Sequence, residues 1–589
     1  MAEYKRLFDF VYEQLQECPL DKMVTSRFAG EWKSYSTQEF VDTMNAVSRG
    51  LLELGVEKGD KIALITTGNR AEWNIMDHAI LQIGAIDVPI YPTMTEDDYT
   101  YIMNHAEVKL CFISDEDIYK KIKSIGDKVP TLKSVYSFEK VSDCPSWLDV
   151  RDLGKNLSHD KVKALSDSVK PEDMATIIYT SGTTGLPKGV MLSHNNISSN
   201  ALDSKERLPY LEEGQSIALS FLPCCHIYER MLHYLYIDNR VSIYLSGLDA
   251  VKDDLFYVKP HVFSAVPRLL EKFYDGVMAK GMASTGIKKT IFAWSVGVAL
   301  QWDVNQSFFY KIKLAIARKL VFSKVKLALG LENIKGVPSG SAALQARLAR
   351  FFCGAGIVVK EGYGLTETSP VISVNTTRIP NMYRVGTVGK PINHVQVKIA
   401  QDGEILCKGP NVMMGYYKAP ELTAEVLKDG WFHTGDIGEF RDGFLAITDR
   451  KKEIFKTSGG KYVAPQVIEN VLKESLYIEQ CMVVGENKNF PSALIVADLV
   501  GFKLWAQRHG VKLGSDDEIL KSKELEKMIF EEIEKRNPRF GKWEQIKAFR
   551  ILPRPFTIEA GEITPTLKLK RKKILENNAA LLAEIYKED

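Results

Sequence analysis

Residues 179–190 read Tyr-Thr-Ser-Gly-Thr-Thr-Gly-Leu-Pro-Lys-Gly-Val and follow a short apolar run at residues 175–178. The apolar run predicts a buried strand. The twelve residues after it contain three glycines, four aliphatic hydroxyls and one lysine. Glycines let backbone N–H groups approach an anion closely, hydroxyls add further donors, and Lys188 adds a positive charge. The stretch therefore predicts a strand that leads into a polyphosphate-binding loop.

This loop differs from the two common nucleotide-binding fingerprints. A Walker loop needs Gly-Lys-Ser/Thr, whereas Pro187 precedes Lys188 and Gly189 follows it. The dinucleotide pattern G-x-G-x-x-G fails at Gly362-x-Gly364, because its sixth position is Glu367. A P-loop hydrolase and a Rossmann dehydrogenase are therefore disfavoured, and an ordinary glycine-rich surface turn remains as the alternative interpretation.

The composition is that of an ordinary globular protein. The chain has 589 residues, of which 45% are hydrophobic and 26% are charged, so several structural units are expected. Its net charge is +2, from 77 basic and 75 acidic residues, and nothing global indicates a nucleic-acid partner.

Targeting signals and metal motifs give no lead. The eight cysteines include no C-x-x-C pair, which predicts reduced thiols and disfavours a zinc site. The N-terminal residues do not follow the signal-peptide pattern, and no run of 18 apolar residues occurs. We therefore expect a cytoplasmic protein.

The first part of the chain has the rhythm of a doubly wound parallel sheet. Strand-like runs at residues 61–65, 87–92 and 110–114 alternate with helical runs at residues 70–83 and 97–105. The rhythm returns at residues 216–275 and 334–375. We therefore predict an α/β fold of βα subdomains that extends to about residue 390.

Residues 281–330 predict helices throughout, and residues 311–329 carry many basic side chains among aliphatic ones. Lys311, Arg318, Lys319 and Lys326 fall on one helical face by their spacing, whereas Lys313 and Lys324 fall on the other side. A packed helix with solvated lysines and a peripheral membrane contact both remain open.

Short strands and turns replace the βα rhythm after residue 390. Strand-like runs at residues 395–399, 403–407 and 444–448 predict a small β-barrel or twisted sheet over residues 391–448. A charged run at residues 449–453 then separates this part from a mixed α/β tail. We place the boundary between an N-terminal domain of residues 1–448 and the rest of the chain at this run.

Four further clusters could add to the phosphate loop. Residues 361–368 combine an aromatic ring, a hydroxyl and a carboxylate, which suit a base, a phosphate and a magnesium ion. Residues 431–438 present Asp436 at a tight turn, suited to ribose hydroxyls. Residues 449–456 and 565–571 are rich in lysine and arginine. Each cluster alone also fits a core aromatic, a turn former or a solvated charge.

Together, and in this order, the five stretches resemble the adenylate-forming superfamily of acyl-CoA synthetases, luciferases and peptide-synthetase adenylation domains, from about residue 20 to about residue 575. The resemblance implies a large N-terminal domain of βα subdomains plus a small β-barrel, a hinge at residues 449–456, and a small, mobile α+β domain at residues 457–589. It also implies two steps, in which ATP and a carboxylic acid form an acyl-adenylate and pyrophosphate, and coenzyme A then displaces AMP.

The resemblance assigns roles to individual residues. It implies ATP contacts from Thr180, Ser181, Gly182, Thr183, Thr184, Gly185, Lys188, Gly340, Ser341, Glu361, Gly362, Tyr363, Gly364, Asp436, Arg450, Lys452 and Lys456. Within this set, Tyr363 would stack on adenine, Asp436 and Arg450 would bind the ribose, and Lys452 would mark the hinge. Glu367 and Thr184 would hold Mg²⁺, and Thr366 would contact the α-phosphate.

The resemblance also implies which residues act in catalysis and in coenzyme A binding. Lys568 would neutralise charge between the two anions as they meet, and no strong base is needed because the acid is already ionised. Gly459 and Gly460 would line the path of coenzyme A. Leu567 stands where many relatives have glycine, which is a mild departure from the pattern.

The sequence says least about which carboxylic acid is the substrate. Residues 221–230 and the helical region at 281–330 resemble the long-chain fatty acyl-CoA synthetase branch. His226 would then lie near the acyl carboxylate, although a satisfied core histidine is the alternative. Gly364 stands where acetyl-specific relatives carry tryptophan, which favours an open acyl pocket, and each buried methylene would contribute about 0.8 kcal/mol.

We therefore expect an ATP-dependent long-chain fatty acid–CoA ligase. A fatty acyl-AMP ligase that passes the acyl group to another thiol, and a medium-chain or aryl acyl-CoA ligase, remain alternatives. A binding protein without catalysis is disfavoured because Lys568, Glu367 and Asp436 are all present. A monomer and a homodimer are both open.

Overall fold

The computed structural model describes residues 4–28, 30–180, 186–557, 560–563 and 569–586. The chain forms two compact units, which are Met1–Lys398 with Leu406–His433, and Ile399–Ile405 with Thr434–Asp589. All eight cysteines are free thiols.

The strands of the described residues are short and are distributed along the whole chain. They are β1 (Val24–Phe28), β2 (Glu31–Tyr35), β3 (Lys61–Ile65), β4 (Ile86–Pro89), β5 (Val108–Ile113), β6 (Ser134–Ser137), β7 (Met174–Thr180), β8 (Lys188–Ser193), β9 (Ile217–Ser220), β10 (Ser242–Leu245), β11 (Val262–Phe263), β12 (Val337–Ser339), β13 (Val359–Gly364), β14 (Val371–Val374), β15 (Lys390–Pro391), β16 (Gln396–Ile399), β17 (Glu404–Lys408), β18 (Gly415–Tyr416), β19 (Leu427–Lys428), β20 (Trp431–Arg441), β21 (Phe444–Arg450), β22 (Phe455–Lys456), β23 (Tyr462–Val463), β24 (Ile478–Val484), β25 (Ser492–Ala497) and β26 (Ala548–Ile551).

The helices lie mostly between these strands. They are α1 (Asp9–Glu17), α2 (Thr37–Glu53), α3 (Ala71–Gln82), α4 (Glu96–Ala106), α5 (Glu116–Ser124), α6 (Trp147–Leu153), α7 (Asp160–Ser168), α8 (His194–Ser204), α9 (Ile227–Asp238), α10 (Val251–Val258), α11 (Pro267–Met282), α12 (Gly286–Leu300), α13 (Phe308–Ala317), α14 (Ser323–Ala328), α15 (Ala346–Gly354), α16 (Pro420–Val426), α17 (Pro465–Leu472), α18 (Leu499–His509), α19 (Asp516–Leu520), α20 (Lys523–Arg536), α21 (Arg571–Asn577) and α22 (Ala579–Ile585). In the described part of the chain, no helix is both long and apolar enough to span a bilayer.

The first unit contains the predicted doubly wound sheets. One sheet has seven strands in the order β18-β8-β7-β4-β3-β5-β6, and its strands from β7 to β6 in that order run parallel. A second sheet has the order β11-β9-β10-β1-β2, with only β2 antiparallel. Strands β3 and β5 in the seven-stranded sheet are mostly apolar and buried, because helices cover both faces of such sheets. Helix α3 is buried along its whole length. The predicted α/β fold class is confirmed.

A smaller sheet of the first unit carries the cluster predicted at residues 361–368. Its strand order is β12-β13-β14-β15, and β12 pairs in parallel with β13 so that Ser339 lies opposite Glu361. Strand β14 returns antiparallel to β13 after a tight turn at residues 365–370. The turn therefore projects from the end of a strand that is fixed on both sides.

The second unit is α+β. Strands β20 and β21 form an antiparallel hairpin, and β24, β25 and β26 form a three-stranded sheet. Side chains from α17 and α20 pack with this sheet in one apolar core, which includes Ile468, Leu472, Leu525 and Ile529. The boundary of the two units lies before residue 434, so residues 434–448 belong with the second unit.

A buried cation joins four elements of the first unit. Arg230 of α9 donates to Asp77 of α3 at 2.6 Å and to Thr176 of β7 at 2.9 Å, and it lies 3.1 Å from Asp87 of β4. Tyr234, one turn along α9, donates to the same Asp77. Burial raises the pKa of the Asp87 carboxyl well above its ordinary value; the charge of Arg230 opposes this shift and that of Asp77 adds to it. Burial therefore favours the neutral form of Asp87, which reduces the negative charge that the single arginine has to balance.

We expect Arg230→Met to lower the free energy of unfolding by about 3–5 kcal/mol, because it leaves the Asp77 charge buried without a partner. Asp87→Asn is the matched control, since asparagine keeps the size and neutrality of the protonated acid. It should cost about 1 kcal/mol or less. Urea unfolding of the whole chain measures both, and equal losses in the two variants would contradict this assignment of charge.

Candidate active site

The predicted phosphate loop joins the two strands of a hairpin. Strands β7 and β8 are antiparallel, and Thr180, the last residue of β7, pairs with Lys188, the first residue of β8. Residues 181–185, which include the predicted contacts Ser181, Gly182, Thr183, Thr184 and Gly185, lie outside the described residues. The hairpin therefore brings Thr180 and Lys188 together at the base of the loop.

A tyrosine connects this hairpin to the predicted magnesium ligand. The Nζ atom of Lys188 lies 5.3 Å from the centre of the Tyr416 ring. The Tyr416 hydroxyl donates a 2.9 Å hydrogen bond to Oε1 of Glu367. Burial, followed by the negative charge of Glu367, raises the pKa of Tyr416, so the phenol keeps its proton. One ring thus links a cation of the phosphate hairpin with a carboxylate of the β13–β14 turn.

Two buried asparagines hold that turn in place. The side-chain amides of Asn200 and Asn411 both donate to the carbonyls of Thr368 and Val371, at 2.7–3.3 Å. The backbone of Glu367 is held as well, because its carbonyl accepts from the N–H of Met413 at 2.9 Å. These bonds satisfy turn carbonyls that no strand pairs, so Thr366 and Glu367 sit on a fixed backbone.

Gly364 ends β13 at a point of close backbone approach. A Cβ atom there would lie 1.8 Å from the carbonyl oxygen of Pro370. Any side chain would force the turn apart, so the local backbone gives a reason for glycine that is separate from the predicted open acyl pocket.

The predicted adenine-side residues lie together with a further tyrosine. A Cβ on Gly340 would be 3.7 Å from the Tyr228 ring and 3.8 Å from the carbonyl oxygen of Gly362. Ser341 follows in a left-handed conformation, with φ at +71°. Tyr363 is half-buried on β13 and pairs with Ser373 of β14. The structure therefore brings Gly340, Gly362 and Tyr228 into one neighbourhood.

Glu361 is a buried carboxyl in this neighbourhood. One of its oxygens accepts from the backbone N–H of Leu344 at 3.1 Å. Burial raises the pKa of Glu361 to about 8, so the side chain is mostly protonated at neutral pH. The preceding residue, Lys360, points to the other face of the strand, and burial lowers the pKa of its amine to about 7.

His226 caps α9. Its Nδ1 accepts from the backbone N–H of Tyr228 at 3.1 Å, and the side chain is half-buried. The cap explains the position of the imidazole. Its predicted role beside the acyl carboxylate stays a prediction.

The second unit places the predicted ribose ligands side by side. Asp436 and Arg450 are opposite each other on the β20–β21 hairpin, with Nε and Oδ1 3.3 Å apart. Asp436 is almost fully buried, whereas Arg450 is half-buried. Cross-strand pairs of opposite charge stabilise such a hairpin, so the pair has a structural role as well.

The predicted hinge and coenzyme A residues are exposed. Lys452 lies in a turn after β21, and Lys456 lies 4.7 Å from the centre of the Tyr462 ring. Gly459 and Gly460 form the turn between β22 and β23, where Gly460 adopts a left-handed φ of +73°. This conformation favours glycine.

The predicted catalytic residue Lys568 lies outside the described residues, but its C-terminal flank is anchored. Arg571 donates to Glu453 at 3.0 Å and to Glu469 at 2.6 Å. Leu569 pairs with Ile563 in an isolated bridge. The chain just after Lys568 is thus fixed to the segment that follows β21.

Sequence patterns did not indicate several of these residues. Tyr416 contacts the predicted residue Glu367, and Asn200 and Asn411 bond the carbonyls of Thr368 and Val371 beside it, yet none of the three belongs to a glycine-rich or charged cluster. Among the residues that the structure describes, no group of three or more His, Cys, Asp or Glu could hold a metal ion by itself.

Comparison with known proteins gives matches over the whole chain. Residues 11–417 match the family model of the AMP-binding enzymes, and residues 452–589 match that of the AMP-binding enzyme C-terminal domain. The chain is 34% identical to the long-chain-fatty-acid–CoA ligase FadD15 of Mycobacterium bovis, covering 100% of this chain and 98% of that protein. It is 33% identical to the peroxisomal long chain acyl-CoA synthetase 7 of Arabidopsis thaliana, covering 95% and 82%.

A solved structure has the same fold. The anthranilate CoA ligase AuaEII in complex with anthranoyl-AMP superposes with a TM-score of 0.73 at 18% identity, covering 98% of each chain. The sequence-based assignment to the adenylate-forming superfamily is therefore confirmed.

The buried Glu361 makes the free energy of unfolding depend on pH. Its pKa is raised from 4.5 to about 8 by burial, so between these values the folded chain binds a proton that the unfolded chain releases. Stability from this group is complete below pH 4.5 and is lost as the pH rises to about 8. Glu361→Gln should remove this loss. Urea unfolding of both proteins at about pH 5 and pH 7.5 should show the variant gaining about 2–3 kcal/mol relative to wild type. If the difference in the free energy of unfolding between Glu361→Gln and wild type were the same at both pH values, the buried, protonated state of Glu361 would be contradicted.

Proposed function

Because the chain belongs to the AMP-binding enzyme family, we propose that it is an ATP-dependent, AMP-forming long-chain fatty acid–CoA ligase. The observation that carries the proposal is the connection from Lys188 through Tyr416 to Glu367. It joins a loop of polyphosphate-binding composition to a carboxylate suited to a hard cation. The names of the relatives support the long acyl chain and agree with the expectation from the sequence.

The reaction has two steps. First, a carboxylate oxygen of the fatty acid attacks the α-phosphorus of ATP, the bond to the bridging oxygen breaks, and pyrophosphate leaves. Second, the thiolate of coenzyme A attacks the acyl carbonyl, and AMP leaves with the bonding electron pair. No protein nucleophile is required, so the side chains bind, orient and neutralise charge.

Different residues of the first unit bind different parts of ATP. Residues 180–188 bind the β- and γ-phosphates, and Thr366 contacts the α-phosphate. Tyr363 stacks on the adenine beside Gly340 and Gly362, and His226 faces the acyl carboxylate. The asparagine bonds to the Thr368 and Val371 carbonyls support this division, because they hold Thr366 and Glu367 in a preorganised turn.

Glu367 fits a magnesium ion by its donor chemistry. Carboxylate oxygens are the ligands that Mg²⁺ prefers, and the Tyr416 hydroxyl orients this carboxylate. Thr184 would be the second protein ligand. When bound, the ion neutralises charge on the phosphate oxygens.

The residues of the second unit complete the proposal. Asp436 accepts from the ribose hydroxyls and Arg450 orients it, while Lys568 neutralises the carboxylate and the α-phosphate as they meet. Residues 449–456 serve as a hinge about which residues 457–589 move, and Gly459 and Gly460 then line the path of coenzyme A. We further propose that the protein works in the cytoplasm at a membrane surface.

The decisive experiment measures pyrophosphate release from ATP and Mg²⁺ over straight-chain acids from acetate to stearate, each with and without coenzyme A. Multiple turnovers that need coenzyme A, with a maximum at long chains, are expected. A maximum at short or aromatic acids would keep the chemistry and reject the long-chain substrate. Multiple turnovers without coenzyme A but with a carrier-protein thiol would indicate an acyl-AMP ligase.

Lys568→Ala should lower the rate of pyrophosphate release at least about a hundredfold while ATP binding persists. The reason is that one oriented charge at a transition state contributes about 3–4 kcal/mol. Lys570→Ala is the control, since Lys570 is exposed and lies two residues away. ATP binding measured by calorimetry separates loss of chemistry from loss of folding. Unchanged turnover in Lys568→Ala would remove this lysine from the mechanism.

Tyr416→Phe deletes only the hydroxyl that orients Glu367. A hydrogen bond to a charged group contributes about 1.5–3 kcal/mol, so pyrophosphate release should fall about tenfold or more. Tyr417→Phe is the matched control on the next residue, whose side chain is half-buried. Raised magnesium should restore part of the lost rate in the Tyr416 variant alone. Equal rates in the two variants would separate Tyr416 from the reaction.

A further inference from the structure

An apolar stripe runs along the outside of α13 and α14. These helices are continuous through a π-helical turn at Arg318–Phe322. The apolar stripe consists of Phe308, Phe309, Ile312, Ile316, Leu320 and Leu327, each 44–75% exposed. Most of them recur at intervals of four residues and therefore share one side of the helix. Monomeric soluble proteins rarely leave such a contiguous apolar surface uncovered, so it marks an interaction site.

The inner side of the same helices is fixed to the first unit. Leu314, Ala317 and Phe322 are buried in its second apolar core. Arg318 donates to the carbonyls of Cys353 and Gly354 at the end of α15, both at 2.9 Å. By its spacing Arg318 falls on one helical face with Lys311 and Lys319, but its guanidinium turns inward because it pairs with carbonyls at a helix end. The orientation of the apolar stripe toward solvent is set by this packing.

Positive charge surrounds the apolar stripe. Residues 286–329 contain eight lysines and arginines and a single acid, Asp303. Lys311 and Lys313 are exposed and flank Ile312 on its two sides, and Lys319 and Lys324 are exposed farther along. Long lysine side chains next to an apolar surface can extend their amines toward headgroups while the neighbouring rings enter the acyl region.

We propose that the apolar stripe docks the protein on the surface of a bilayer that contains anionic lipids. Charge complementarity selects this occupant, because a symmetric contact with a second copy would set the same lysines against each other. Phe308 and Phe309, 72% and 75% exposed, are the anchors that enter the interface. The proposal does not depend on the ligase activity, although a membrane would be a direct source of long-chain acids.

Co-sedimentation with phosphatidylcholine vesicles, with and without phosphatidylglycerol, tests the docking of the full chain. Wild type should bind the anionic vesicles at least tenfold more tightly, and raised salt should weaken this binding. Phe308→Ser with Phe309→Ser, and separately Lys311→Glu with Lys313→Glu, should each reduce binding at least tenfold. Leu248→Ser with Tyr210→Ser changes equally exposed apolar residues outside the apolar stripe, and Lys140→Glu with Lys161→Glu is the charge control.

Two outcomes would overturn the proposal. The first is that wild type does not bind the anionic vesicles, or binds them equally at low and high salt. The same holds if the stripe variants and their controls lose equal vesicle affinity. The other is a lipid-free dimer in sedimentation velocity that Phe308→Ser with Phe309→Ser dissociates while lipid binding persists, which would assign the stripe to a second copy. Pyrophosphate release with detergent-dispersed acid should persist in every variant. This readout shows that the variants fold, and its absence in wild type would count against the proposed function alone.

Discussion

The contact between Arg230, Asp77 and Asp87 fixes the part of the first unit on which the candidate site is built. Arg230 lies one turn after the His226 cap, Asp87 lies on the strand beside β7, and Thr176 lies on β7 itself. Removing two carboxyl groups and a guanidinium from water is costly. The cost is offset here because burial shifts Asp87 toward its neutral form and because the arginine has three partners. The helix that carries His226 and Tyr228 therefore cannot shift without the strand that leads into the phosphate loop.

The turn at residues 365–370 is also fixed by buried side chains, but here the partners are neutral amides. The carbonyls of Thr368 in the turn and of Val371 at the start of β14 accept from the side-chain amides of Asn200 and Asn411. Glu367 is then held twice, through its backbone by Met413 and through its carboxylate by Tyr416. A site that neutralises charge gains most from groups that do not reorganise during the reaction. The buried amides are thus as much a part of the candidate site as Thr366 and Glu367, whose backbone they hold.

Local patterns predicted the elements better than the contacts between them. The apolar run at residues 61–65 coincides with β3, and the helix predicted at residues 70–83 is α3, two segments that are buried almost along their whole length. The prediction that residues 281–330 are helical throughout is wrong at residues 283–285 and 301–307, which separate α11, α12 and α13. Asp436 and Arg450 come from separate sequence clusters and lie opposite each other on one hairpin. Tyr416, Asn200 and Arg318 have roles set by partners far away in sequence, which periodicity and spacing do not encode.

Strand β13 carries a buried amine and a buried carboxyl group on neighbouring residues. Alternation along the strand places Lys360 and Glu361 on opposite faces, where Lys360 donates to Thr376 and Glu361 accepts from the backbone N–H of Leu344. Burial holds the pKa of both side chains within about one unit of neutrality, at about 7 and about 8. A protonated Glu361 carries no negative charge, whereas the carboxylate of Glu367 accepts a hydrogen bond from the Tyr416 hydroxyl. The two carboxyl groups of this segment therefore differ. Burial keeps Glu361 on the strand mostly neutral, and the Tyr416 hydroxyl orients Glu367 in the turn that follows.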